Sequence, residues 1–131
     1  DYEMYMGLDK HTALSCFDMS ICGNNAINLS KIQPELISDK PSVKIESLID
    51  NRQTDCFRVN RININADSTL LKQSPSIYFI TEGSGIVTCG KKFTLIKKGD
   101  YFLLPYCMKE KCILSSKEYM VAIECYRGVK D

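Results

Sequence analysis

The stretch 76–105, SIYFITEGSGIVTCGKKFTLIKKGDYFLLP, constrains this chain more than any other, because apolar runs of four or five residues alternate there with short polar breaks. A helix that buries one face needs roughly ten residues or more, so runs this short predict strands. They fall at 77–81, 86–89, 93–96 and 101–104. Glu82-Gly83-Ser84-Gly85 and Cys89-Gly90-Lys91-Lys92 supply the glycines that tight connections need. Lys97-Lys98-Gly99-Asp100 makes a third turn, and Pro105 closes the last strand because it has no N–H for a ladder. The turn spacing predicts an antiparallel unit that closes into a small sandwich or barrel.

The remaining segments are less regular. A helix is predicted over 8–17, with Asp9 near its start where a carboxylate favours the helix dipole. Residues 20–40 read as turn-rich, carrying Gly23, Asn24, Asn25, Asn28 and Pro34, and 43–49 as an extended segment. In the strand predicted at 56–64 the polar and apolar residues exchange faces at Asn60–Arg61, which predicts a bulge or a crossing between sheets. A polar loop at 65–74, a short apolar pair at Ile113 and Leu114, and a closing strand at 119–126 complete the chain. The expected organisation is a linker helix and extended cover segment at 1–51, forming one compact unit with a barrel at 52–131. The runs IYFI, YFLL and YMVAI are apolar on both faces, so the outside of the barrel is expected to be covered. The cover could be 1–51, a partner chain, or a further part of a longer polypeptide, which the start at Asp1 also suggests.

Composition removes several classes of function. Seventeen basic residues stand against sixteen acidic ones, a net charge of +1, which gives no general attraction to nucleic acid or anionic membrane. No apolar run approaches the roughly 20 residues of a membrane span. The seven cysteines are odd in number and contain no CxxC, and they read as reduced, buried thiols of a cytoplasmic protein. Cys107 and Cys112, flanking the loop after Pro105, are the pair to examine first for a bond. No Ser/His/Asp set, Cys/His pair or phosphate loop is present, and the single histidine, His11, cannot form a site alone. Arg58 and Arg61 could fork onto a phosphate, or could simply occupy a solvated strand face.

The order strand, EGSG, strand, hairpin, KKGDYFLLP resembles the core of the cupins, which implies an all-β, double-stranded β-helix (jelly roll) with a short N-terminal helix. Within cupins, FRVNRINI, SPSIYFITEGSGIV and LIKKGDYFLLPY together look most like the C-terminal domain of type I mannose-6-phosphate isomerases. That likeness spans about 54–126, with HTALSCFD resembling the helix that links that domain to the preceding one. Metal-binding cupins hold their ion with a His-x-His, a nearby Glu and a later His. Laid on this chain, those positions hold Leu70, Lys72, Ser76 and Glu110, so the resemblance implies a barrel without the usual metal. Lys72, Ser76, Tyr78 and Glu110 would then line the barrel mouth and could bind a small polar ligand, a sugar phosphate among them; the alternative is that the charged pair faces solvent and Tyr78 fills the core.

The resemblance also implies a parent that interconverts mannose 6-phosphate and fructose 6-phosphate. Zinc would sit in a preceding catalytic cupin of the same polypeptide, and no catalytic or metal residue would lie in this chain. Its role here would be structural. A stand-alone ligand-binding cupin and a homodimerising β domain remain the other readings.

Overall fold

A computed structural model describes residues 4–72, 75–108 and 110–128. The chain divides into two compact units, Asp1–Lys31 and Ile32–Asp131.

The first unit is helical. Helix α1 (Lys10–Ser15) is shorter than the predicted 8–17, because Asp9 acts as its N-cap and fixes where it begins. The Asp9 carboxylate accepts from the backbone N–H groups of His11 and Thr12, each at 3.0 Å, and from the Thr12 hydroxyl. Helix α2 (Gly23–Ser30) replaces the turn-rich reading of that stretch. Its asparagines belong to local side-chain hydrogen-bonding types that favour turns, but only Gly23 takes a positive φ, at the first residue. Neither helix has a buried residue.

The second unit is all β. Its strands are β1 (Glu35–Lys40), β2 (Val43–Ile49), β3 (Phe57–Asn65), β4 (Ser68–Leu71), β5 (Ser76–Glu82), β6 (Ser84–Cys89), β7 (Lys92–Lys97), β8 (Tyr101–Leu104), β9 (Cys112–Ser115) and β10 (Tyr119–Arg127). They form a six-stranded sheet, β1-β2-β3-β10-β5-β8, and a four-stranded sheet, β4-β9-β6-β7. Every pairing is antiparallel. The four strands read from 76–105 therefore do not stay together: β5 and β8 pair in the large sheet, β6 and β7 in the small one. Gly83 stands where the chain passes from one sheet to the other, at φ +73° and so close to the Tyr119 carbonyl that a Cβ would collide with it.

Strand β2 hydrogen-bonds onto β3 and β1 onto β2, so both belong to the large sheet. Strand β4 takes up part of the stretch expected as loop 65–74; of that stretch, residues 73 and 74 lie outside the described residues. The core lies between the sheets. Ile62, Ile64, Tyr78, Ile80, Leu104, Met120 and Ala122 face it from one side, and Leu71, Val87, Ile96, Cys112 and Leu114 from the other.

Two sequence expectations are corrected here. Cys89 and Cys112 are register partners on β6 and β9 and form a disulfide, whereas Cys107 is free and exposed. Adjacent antiparallel strands bring the two thiols together, a proximity that spacing along the chain cannot reveal. Of the five other thiols, Cys16, Cys22, Cys56 and Cys107 are exposed and Cys125 is half-buried. The second correction concerns the face change at Asn60–Arg61. Strand β3 pairs with β10 without a break from Phe57 to Asn65, and Arg58, Asn60, Ile62 and Ile64 all point inward. The irregularity sits instead on β2, between Ser47 and Ile49.

Candidate functional site

The inner face of the large sheet changes character along its strands. At one end the register sets Val43, Ile64 and Met120 side by side, and next to them Ile45, Ile62, Ala122 and Ile80. Towards the other end the next row reads Ser47, Asn60, Glu124, Tyr78, across β2, β3, β10 and β5. The row beyond it holds Arg58, Tyr126 and Ser76. Period-two alternation put these residues inside, and pairing of the strands aligned their polar ends.

The polar row is tied together by hydrogen bonds. The Tyr78 hydroxyl donates to Glu124 Oε1 at 2.5 Å, and Asn60 Nδ2 donates to Glu124 Oε2 at 2.8 Å. Asn60 Nδ2 also lies 3.4 Å from the Tyr126 hydroxyl oxygen. Burial pushes the Tyr78 phenol far above its ordinary pKa, and the Glu124 carboxylate adds to that, so the phenol remains a proton donor. Its ring stacks on Phe102 with centroids 4.8 Å apart. Arg58, also buried, donates through Nη1 to the Thr54 carbonyl at 2.9 Å.

A cavity of about 620 Å³ opens onto this row. Asn60, Glu124 and Tyr126 contribute to its wall, together with Lys40 of β1 and with Asp67 and Lys72 on either side of β4. A larger depression, about 810 Å³, runs along β6, β7 and the end of β9. Two of its polar groups are already paired: the Ser116 hydroxyl donates to the Ser84 carbonyl at 2.6 Å, and Asp100 accepts from the Lys97 N–H at 2.9 Å. The smaller cavity is the one that meets the buried polar row.

Of the four residues singled out from sequence, Lys72 lines that cavity. Tyr78 reaches the same chemistry through Glu124, from a fully buried position. Ser76 faces inward in the row beyond. Glu110 is elsewhere: it is exposed and lies against Gly90 in the β6–β7 turn. Asn60, Glu124 and Tyr126 were missed. Their signal was present in the inward positions of two strands, β3 and β10, which turn from apolar to polar towards one end. Leu70 cannot ligate a metal, and the row with the neighbouring Tyr126 offers one carboxylate, an amide, a serine hydroxyl and two phenols. Among the described residues no three His, Cys, Asp or Glu side chains converge. This donor set does not suit a divalent transition-metal ion.

No protein-family model matches the sequence, and no curated protein matches it. Solved structures do. An RmlC-like cupin from Shewanella frigidimarina superposes with a TM-score of 0.59 at 14% identity, over 76% of this chain and 87% of that one. The fold is a cupin jelly roll. The mannose 6-phosphate isomerase from Bacillus subtilis matches this cupin with a TM-score of 0.58 at 25% identity, over 74% of this chain but only 29% of the isomerase. An ectoine synthase from P. lautus matches it equally well in shape, 0.58, at 20% identity over 70% of this chain and 67% of that chain. These neighbours differ in function, so shape establishes the cupin fold and leaves the chemistry to the residues. Among the described residues, no helix is long and apolar enough to cross a membrane.

Proposed function

We propose that this chain is the metal-free cupin unit of a sugar-phosphate isomerase of the mannose-6-phosphate type, with a structural role towards the catalytic part of that polypeptide. One observation carries the reading, and it lies on the outside of the large sheet. Over β2 and β3 that surface is polar and charge-paired: Arg61 grips Glu46 through Nε and Nη2 at 2.9 Å each, and Lys44 joins at 2.9 Å. Over β5 and β8 it is apolar. Ile77 stands opposite Leu103 and Phe79 opposite Tyr101 in the register, with Tyr101 74% and Leu103 61% exposed. An antiparallel sheet that faces water on one side ordinarily alternates, and an apolar cluster on that side marks a contact surface.

The isomerase from Bacillus subtilis supports the choice of parent, because this chain spans less than a third of it and leaves room for a further domain. In this reading zinc acts as the Lewis acid in that other domain, and no residue of this chain takes part in the chemistry. Hexose-phosphate metabolism would put the parent in the cytoplasm. A homodimer through the β5–β8 face is the competing arrangement.

The test is the reading frame across Asp1 and the activity of its product. Interconversion of mannose 6-phosphate and fructose 6-phosphate by the whole polypeptide, with none by the 131-residue chain, supports the proposal. A reading frame without a metal-binding cupin upstream would overturn it.

A further inference from the structure

We infer that the 620 Å³ cavity is a binding site for a hydroxylated organic anion of monosaccharide size, its hydroxyls read by Glu124, Asn60 and Tyr126 and its anionic group by Lys40 and Lys72. The inference does not rest on the isomerase reading, since the site lies wholly within this chain.

The first argument is unused hydrogen-bonding capacity. A carboxylate accepts about four hydrogen bonds, and Glu124 receives two, from Tyr78 and Asn60. Asn60 Oδ1 is buried with no hydrogen-bond partner among the described residues. Turning the amide over would not help, because it would set that oxygen against the Glu124 carboxylate and remove the donor it receives. Tyr126 accepts from Asn60, and among the described residues nothing accepts its own hydroxyl proton. Two acceptors and one donor thus stand together with capacity to spare. That is the pattern a sugar's hydroxyl groups, each both donor and acceptor, would fill.

Charge gives the second argument. Glu124 is only 5% exposed, yet no cation among the described residues forms an ion pair with it. A buried carboxylate without a counter-charge is expensive to keep for packing alone. Lys40 and Lys72 present the complementary case: both line the cavity, both are exposed, and neither is ion-paired among the described residues. Asp67, which also contributes to the wall, accepts from the Ser68 N–H at 2.7 Å. Exposed ammonium groups with a buried hydroxyl-reading row select a ligand that is anionic at one end and hydroxylated at the other. The cavity volume falls within the roughly 300–1,000 Å³ of small-molecule sites.

The experiment is calorimetric titration and thermal melting of the 131-residue chain against four probes: mannose 6-phosphate, gluconate, mannose and inorganic phosphate. Saturable binding of mannose 6-phosphate or gluconate is expected, the stronger of the two identifying phosphate or carboxylate as the anionic group. Mannose should bind more weakly, and inorganic phosphate should not bind at matched concentration. Lys72→Ala alters an exposed residue and should leave folding intact while weakening the anionic ligand about ten-fold, the loss of one charge-assisted contact. Glu124→Gln should weaken mannose as well. If Glu124→Gln does not fold, Lys40→Ala and the Lys40→Ala/Lys72→Ala pair carry the test. Absence of binding by both hydroxylated anions, equal binding of phosphate alone, or binding unmoved by both lysine variants would each overturn the site. None of these results bears on whether a longer polypeptide is an isomerase.

Discussion

Tyr78 and Glu124 face each other from neighbouring strands, the phenol donating to the carboxylate at 2.5 Å with the ring fully buried. This bond joins the packed core to the polar row, because the same carboxylate holds Asn60 on its other oxygen. Removing the phenol oxygen leaves a buried acceptor short of its donor. Tyr78→Phe should therefore destabilise the fold by about 1–3 kcal/mol in urea unfolding. Combined with Glu124→Gln, the two losses should sum to less than their separate values, the signature of a direct contact. Strict additivity would show that the bond contributes nothing of its own.

The same pair makes stability sensitive to alkali. The folded-state pKa of Tyr78 lies above its ordinary 10.0, chiefly through burial. A raised pKa means that the neutral phenol is the form the fold favours, so its contribution is complete below about pH 10 and is lost as pH rises beyond that. Melting temperature should fall above about pH 10, and the fall should be shallower in Tyr78→Phe. Parallel alkaline limbs in the two proteins would contradict this.

On the outer face the sign reverses. Lys44 and then Arg61 hold the Glu46 carboxyl below its ordinary 4.5. A depressed pKa contributes stability that is present above about 4.5 and lost as pH falls. Glu46→Gln should cost about 1 kcal/mol at pH 7, since both cations are partly exposed to solvent. The difference from the parent protein should vanish on acidification. Persistence of the full difference at pH 3 would point to packing rather than charge.

Two glycines separate backbone constraint from side-chain crowding. Gly83 and Gly90 both have positive φ, at +73° and +59°. A Cβ at Gly83 meets the fixed Tyr119 carbonyl, whereas at Gly90 it meets the mobile end of the Glu110 side chain. Gly90→Ala should cost about 1–2 kcal/mol from conformation alone, and Gly83→Ala clearly more. Equal melting temperatures for the two variants would remove the argument from close approach.

Alkylation of the unfolded, unreduced chain should label the five free cysteines, Cys16, Cys22, Cys56, Cys107 and Cys125, and all seven after reduction. Closing a 23-residue separation, the bond should add about 3 kcal/mol by the loop-entropy relation. A Cys89→Ser/Cys112→Ser protein should melt correspondingly lower than the oxidised form. Seven labels without reductant would show the thiols reduced.

How much could be read in advance differs from element to element. The strands at 101–104 and 43–49 are legible to the residue, because Asp100 and Pro105 bound the first and Pro41-Ser42 and Asp50 the second. Strand β4 reads as loop in the sequence, since Ser68 and Thr69 look polar and the strand exists only through its pairing with β9. The site was half visible. Lys72 and Tyr78 could be named, but Glu124 lies forty-six residues from Tyr78 along the chain and meets it only through strand pairing. Asn60, a polar residue amid Ile and Val, reads in the sequence as a change of face, whereas in the fold the inner face itself becomes polar there.

Short apolar runs punctuated by Gly, Pro and charge determined that this chain would be an antiparallel β barrel, because turn geometry and period-two burial are local and each segment carries them alone. The partition of consecutive strands between two sheets, the pairing of Cys89 with Cys112, and the meeting of Asn60, Tyr78 and Glu124 in one row were decided by tertiary structure. Those relations depend on which strand lies beside which, and in what register. Both are settled by burial of the whole core at once, a quantity no single segment possesses.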